Sequence, residues 1–312
     1  MKREQKIAVA GIGGVGGYLA GMLVKAFPHV TLVARGERGA SIREHGLVVH
    51  SDYHGEFTAR PEKVVTAAEL EPQDYIFLCV KNYSLEEVCR ELGNAVTDET
   101  VIIPVMNGAD PGERTRRLLG KGTVVDSLIY IVAFANEDYS ITQQGDYANL
   151  CIGIQNADEA ERRKAGAAAE ILRTANIDYK LSWDIETEIW KKYMLNCAYN
   201  TESAYYNNCI GQLRSDPVKA KEYEQLANEA YQVALAKGVG VEQKHVDAII
   251  HRFYYELADH ATSSLQRDIR DGKRAELETF GGYLVRDAKR LGVPVPVSER
   301  MYEGLKEKAV LK

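Results

Sequence analysis

The chain has 312 residues, 45% hydrophobic and 27% charged, which is ordinary for a globular protein and long enough for two domains. A net charge of −6 argues against broad electrostatic binding to nucleic acid, while leaving room for an anionic substrate in a locally positive pocket. The polar opening of residues 1–6 is unlike a signal peptide, and no run reaches the ~18 apolar residues of a transmembrane helix, so no membrane role is expected.

Residues 6–10 are a short apolar run that ends at a glycine and reads as a buried strand. Gly11-Ile12-Gly13-Gly14-Val15-Gly16 follows, residues 18–24 open a helix, and 30–34 form the next strand, completing one βαβ unit. Residues 46–50 and 56–59 read as a small β excursion. Residues 75–80 and 101–105 read as further buried strands, with a short helix over 86–92 between them. Continuous apolar strands alternating with helices predict a parallel sheet covered on both faces. After about residue 153 the texture changes. Residues 156–176 are alanine-rich and helical, and 178–181 are strand-like. From 183 onward the chain reads as helices over roughly 184–206, 216–237, 242–258, 261–271, 274–291 and 298–309.

Five widely spaced cysteines, Cys79, Cys89, Cys151, Cys197 and Cys209, contain no CxxC pair and fit the reduced thiols of a cytoplasmic protein. No metal site is expected, because the seven histidines give no HExxH pattern.

The glycine loop stands straight after a strand and opens a helix, the context in which Gly11-x-Gly13-x-x-Gly16 binds a dinucleotide. The first glycine permits a tight turn, the second lets backbone approach a pyrophosphate, and the third lets helix pack on strand. The cofactor loop is thus expected over Gly11, Ile12, Gly13, Gly14, Val15 and Gly16, with phosphates at the helix N-terminus. The predicted fold class is α/β. A Rossmann-type doubly wound parallel sheet over 1–182 is followed by an all-helical domain over 183–312. An NAD site carries Asp or Glu about 20 residues on, but here Arg35 ends the second strand. Its guanidinium suits a 2′-phosphate and points to NADPH/NADP+. Glu37 is the competing partner for the ribose, and a solvated loop arginine is the other reading of Arg35.

Within the apolar segment 189–200, Lys192, Asn196 and Asn200 are spaced by four and share one helix face. Buried amides and ammonium groups need polar partners. A ligand with a carboxylate and a carbonyl would supply them, and Lys192 would then serve as proton donor. The other reading on spacing is a surface lysine with two asparagines bonding backbone.

These features resemble the ketopantoate reductases (2-dehydropantoate 2-reductases) over most of the chain. The resemblance rests on the glycine loop with Arg35, Val80-Lys81-Asn82 and Met106-Asn107-Gly108, and on Trp190-Lys191-Lys192 with Asn196-Cys197. It continues through 263–269, 273–278 and Gly292-Val293-Pro294-Val295-Pro296. It implies reduction of a small 2-oxo acid, ketopantoate to pantoate for pantothenate and coenzyme A, with hydride delivered to the ketone carbon. It implies Lys192 as general acid, Glu276 as the partner of the substrate hydroxyl, Asn196 and Asn200 as lining residues, and Ser264 on the substrate carboxylate. Asn107 would lie near the nicotinamide and carbonyl, with Lys81 at the cleft. A homodimer through the helical domain is compatible with the sequence.

The chain departs from the family pattern at Gln143, at Thr201-Glu202-Ser203-Ala204, at Ala275 and at Gly281-Gly282, departures expected to bear on the substrate. Tyr130, Tyr139, Tyr147, Tyr199, Tyr205 and Tyr206 are expected near the cleft, either packing or shaping a pocket. Two further readings are a related reductase of another 2-oxo acid and an NADP-binding regulator with a degenerate site. Retention of Lys192 and Glu276 opposes the regulator. Dehydrogenases of the 6-phosphogluconate and hydroxyacyl type share the general plan, which fold alone does not separate.

Overall fold

A computed structural model describes residues 5–310, which divide into two units, one ending at Ile185 and the other beginning at Glu186. The first unit runs β1 (Ile7–Ala10), α1 (Gly14–Ala26), β2 (Val30–Val33), α2 (Gly36–His45), β3 (Leu47–Ser51), β4 (Gly55–Ala59), β5 (Lys63–Val65) and β6 (Tyr75–Leu78). It continues with α3 (Leu85–Glu91), β7 (Val101–Pro104), α4 (Pro111–Leu119), β8 (Thr123–Val124), β9 (Asp126–Ala135), β10 (Ile141–Gly153), α5 (Glu159–Thr174) and β11 (Tyr179–Leu181).

Six strands form an all-parallel sheet in the order β5-β2-β1-β6-β7-β8. Strand order reverses between β1 and β6, so a crevice opens at their carboxyl ends. Both faces are covered, as the apolar runs predict. Ile7, Val9, Phe77 and Ile103 enter one core, while Ala8, Ala10, Ile76, Leu78 and Ile102 enter another. Successive strand residues point to opposite faces, so a strand buried on both must be apolar throughout.

The small β excursion is real but belongs to something larger. β3 and β4 pair with each other and, through β10, join β9 and β11 in a second sheet. Helix α1 packs against β1 and β2 on one side and against β3, β4, β9 and β10 on the other. Close approach of helix and second sheet requires small residues. A Cβ on Gly14 would collide with the Ala133 carbonyl, and one on Gly17 with the Ile141 side chain.

The second unit is helical: α6 (Ile185–Tyr206), α7 (Ile210–Ser215), α8 (Pro217–Ala236), α9 (Gln243–Tyr255), α10 (Ser264–Arg270), a π-helical turn Glu278–Gly282, α11 (Tyr283–Leu291) and α12 (Pro296–Val310). Helix α7 was not foreseen, and the helix expected from 274 begins only after Glu276. The π turn supplies the reason. Gly281 and Gly282 sit where a Cβ would press on Tyr302 and on the Glu278 carboxylate, and the widened turn leaves carbonyls to be satisfied from outside. The Tyr193 hydroxyl does this, donating to Phe280 O at 2.8 Å and Thr279 O at 3.1 Å. No helix of the described residues is long and apolar enough to cross a membrane.

Candidate active site

Every predicted site residue of the first unit lies at the carboxyl end of a parallel strand. The glycine loop follows β1, Arg35 follows β2 and caps α2, Lys81 follows β6 and Asn107 follows β7. Gly11 takes φ +96° and lies so close to β6 that a Cβ would come 2.7 Å from Cys79 O. A Cβ on Gly16 would strike the Gly11 carbonyl. Gly13 is different: it caps α1 with φ −89°, and a Cβ there would meet nothing within 4 Å. The middle glycine therefore borders open space at a helix N-terminus that has no side-chain cap and no acidic residue in its first turn. The first-turn N–H groups lack helical acceptors, and with the dipole they suit a pyrophosphate. The residues present fit a dinucleotide.

At the end of β2, the exposed Arg35 guanidinium pairs with Glu87 at 3.1 Å. Glu37, the alternative ribose partner, accepts a hydrogen bond from Tyr139 OH at 2.6 Å. Arg38, which sequence reasoning passed over, donates to Ile12 O at 2.8 Å and lies 5.3 Å from the Tyr139 ring centroid. It ties the second strand's loop to the glycine loop. Asn82 and Arg114 do the same on the other side. Asn82 donates to Asn107 O at 2.7 Å, and Arg114 donates to Asn82 Oδ1 and Asn82 O at 3.1 Å each. These bonds join the Lys81 and Asn107 loops. Sequence gave a signal for Asn82, adjacent to Lys81, and none for Arg114.

In the second unit, α6 carries Lys192, Asn196 and Asn200 along one face, and this face meets the start of α10. Asn200 Nδ2 donates to Asn196 Oδ1 at 3.3 Å, and Ser264 Oγ donates to Asn200 Oδ1 at 3.3 Å. Lys192 is largely shielded, and burial lowers its pKa to about 8, against the pull of the negative charge on Glu276. Glu276 itself is buried, in the irregular segment just before the π turn, not on a helix. The structure thus groups Lys192, Asn196, Asn200, Ser264 and Glu276 in one unit, and the glycine loop, Arg35, Lys81 and Asn107 in the other. An ammonium with a pKa near neutrality beside a carboxylate can hold or give up a proton, and the amides can bind oxygen atoms.

The departures other than Ala275 are internal. Gln143 has no exposed surface. Its Oε1 accepts from Ser51 Oγ at 2.5 Å, and its Nε2 donates to Gln144 O and Gly145 O at 2.8 Å each. The amide thus ties β10 to β3 by its oxygen and bonds the irregular stretch of β10 between Gln144 and Asn149 by its nitrogen. Thr201, Glu202 and Ser203 are buried too. Burial pushes the Glu202 carboxyl up to about 9, and neither of its oxygens has a hydrogen-bond partner among the described residues. A neutral acid is what such a site tolerates. Of the tyrosines, Tyr205 and Tyr206 stack edge-on at 5.0 Å, and Tyr206 OH donates to Glu222 at 2.6 Å. No group of three or more His, Cys, Asp or Glu among the described residues is placed to hold a metal.

Comparison with known proteins places both units. The family model described as ketopantoate reductase PanE/ApbA matches residues 7–156, and that of its C-terminal part matches 184–309. The uncharacterized oxidoreductase YkpB of Bacillus subtilis is 28% identical over 306 residues, covering 96% of this chain and 97% of its own. The 2-dehydropantoate 2-reductase of Archaeoglobus fulgidus is 26% identical, with 96% of each chain covered. The crystal structure of 2-dehydropantoate 2-reductase from Porphyromonas gingivalis W83 is 30% identical and superposes with a TM-score of 0.81, over 97% of this chain and 100% of that one. With a parallel-sheet unit, a helical unit and family-wide matches to each, this chain belongs to the ketopantoate reductase family.

Proposed function

We propose that the protein reduces 2-dehydropantoate to pantoate with NADPH in the cytoplasm, supplying pantothenate and coenzyme A synthesis. Residues 1–182 serve as the cofactor domain, and residues 183–312 as the substrate and dimerisation domain. The observation that carries the reading is Lys192, a shielded ammonium with a pKa of about 8 set against Glu276. Gly11, Ile12, Gly13, Gly14, Val15 and Gly16 hold the pyrophosphate, and Arg35 takes the 2′-phosphate. The bound nicotinamide supplies the hydride. Lys192 Nζ holds the proton that the ketone oxygen takes and stabilises negative charge as it develops there. Glu276 accepts from the substrate hydroxyl and keeps Lys192 charged. Asn196 and Ser264 form the polar wall for the carboxylate, with Asn200 behind them on the same face, and Lys81 and Asn107 stand at the nicotinamide end.

The test is NADPH oxidation by the purified protein with ketopantoate beside a panel of 2-oxo acids. Ketopantoate should be turned over in preference to the rest. Lys192→Ala should lose orders of magnitude in kcat while still quenching or shifting NADPH fluorescence. Normal turnover by that variant would remove Lys192 from the mechanism.

A further inference from the structure

The amides of α6 form a chain of bonds with a fixed direction. Leu265 is the second residue of α10, where backbone N–H groups have no helical acceptor. Its N–H lies 3.5 Å from Asn200 Oδ1. A backbone N–H only donates, so the end of the Asn200 amide facing α10 is its oxygen. The Ser264 hydroxyl donates to the same oxygen at 3.3 Å. The other end of Asn200 is then the NH2 group, which donates to Asn196 Oδ1 at 3.3 Å. The Asn196 NH2 group becomes the terminus of the relay. Burial runs in the same order, with Asn200 5% exposed and Asn196 partly open.

The start of α10 is itself held. Ser203 Oγ donates to Ser263 Oγ at 2.7 Å and lies 2.6 Å from Tyr199 O. Ser263 in turn caps α10 by accepting from Gln266 N at 3.1 Å. Ser203, one of the departures from the family pattern, thus anchors the helix whose Leu265 N–H orients Asn200.

We propose that Asn200 is a positioning residue, not a substrate ligand: it takes its orientation from the first turn of α10 and fixes Asn196 so that an NH2 group meets the substrate. This rests on the substrate site proposed above. The consequence is a preference for an oxygen that only accepts, such as the carboxylate of a 2-oxo acid, and rejection of an ammonium at the same place. Ser264 can turn its proton to an arriving carboxylate, because the Leu265 N–H still holds Asn200 Oδ1.

The experiment is a double-mutant cycle on KM for ketopantoate at saturating NADPH, with Asn196→Ala, Asn200→Ala, their combination and Asn200→Asp. Asn196→Ala should raise KM about tenfold, the worth of one hydrogen bond to a charged group, with kcat little changed. Asn200→Ala should raise it less, and the double variant should be no worse than Asn196→Ala alone, since Asn200 acts only through Asn196. Asn200→Asp, which accepts at both ends and inverts Asn196, should be at least as damaging as Asn196→Ala. Losses that multiply in the double variant would make Asn200 a ligand in its own right and overturn the proposal. A separate readout needs no turnover. In asparagine-labelled wild-type protein, side-chain NH2 exchange with solvent should be slower at Asn200 than at Asn196 by about tenfold or more, and equal or reversed rates would also overturn it. If the wild-type protein turns over no 2-oxo acid, the functional proposal falls, and the exchange rates still decide the relay.

Discussion

Gly13→Ala separates the fold of the glycine loop from its use. Gly13 has φ −89° and ψ −160°, which alanine adopts without strain, and its Cβ would touch nothing within 4 Å. Removing a glycine from the unfolded chain stabilises by about 0.4–1 kcal/mol when the native backbone suits alanine, or roughly 1–3 °C in melting temperature for a unit of this size. The same methyl would occupy the space into which a pyrophosphate must come. Displacing two charge-assisted hydrogen bonds at about 1.5–3 kcal/mol each weakens binding by roughly 10²–10⁴-fold. One sample of the variant, melted and then titrated with NADPH by fluorescence, tests both halves: unchanged or raised melting temperature together with lost binding. Binding as tight as the parent's would refute the assignment of this loop to the pyrophosphate. A lowered melting temperature would refute the reading of Gly13 as free of structural constraint. Gly16→Ala is the contrast, since its Cβ collides with the Gly11 carbonyl and should unsettle the loop itself.

Arg35→Ala should weaken NADPH by about tenfold or more while leaving NADH nearly unchanged, measured by parallel titrations, and equal losses would show that Arg35 does not read the 2′-phosphate. Its melting temperature should stay put, because the exposed pair with Glu87 contributes little. In the proposed mechanism Lys192 must be protonated, so kcat/KM should fall as pH rises through about 8. Glu276→Gln removes the charge that raises the Lys192 pKa and should move this alkaline limb to lower pH. A limb that stays or moves upward would refute the coupling. Gln143→Ala should cost about 2–4 kcal/mol of stability in denaturant melts, through the partners it strands in β3 and β10, with KM for the 2-oxo acid unchanged.

The parallel sheet was legible because strands buried on both faces leave uninterrupted apolar runs, as at Ile7–Ala10 and Tyr75–Leu78. The second sheet was not. β10 is broken by the polar stretch 143–147, and its pairing with β3 joins Ile141 to Val49 across a long span of chain. No local pattern announces such a partner. The same limit hid the partners of Gln143, whose amide bonds Ser51 on β3 and backbone carbonyls of its own strand. Spacing by four placed Lys192, Asn196 and Asn200 on one face. Ser264 and Glu276 lie far along the chain, and only the family resemblance connected them with that face before the fold did. Glu276 was expected on a helix because the π turn that begins after it depends on Tyr193, a residue on another helix.

The packing of α1 between two sheets has a consequence for synthesis. Residues 11–16 emerge early, yet one side of the helix they open is covered by β9 and β10, which end only at Gly153. β3 and β4 likewise wait for Ile141–Gln143 before they gain their neighbour in the sheet. Loop closure over such separations is slow relative to local helix formation. The nascent chain therefore makes the glycine loop and its helix first and packs them late, once β9 and β10 have left the ribosome. Until then a bare apolar helix and an unpaired strand edge are open to other chains.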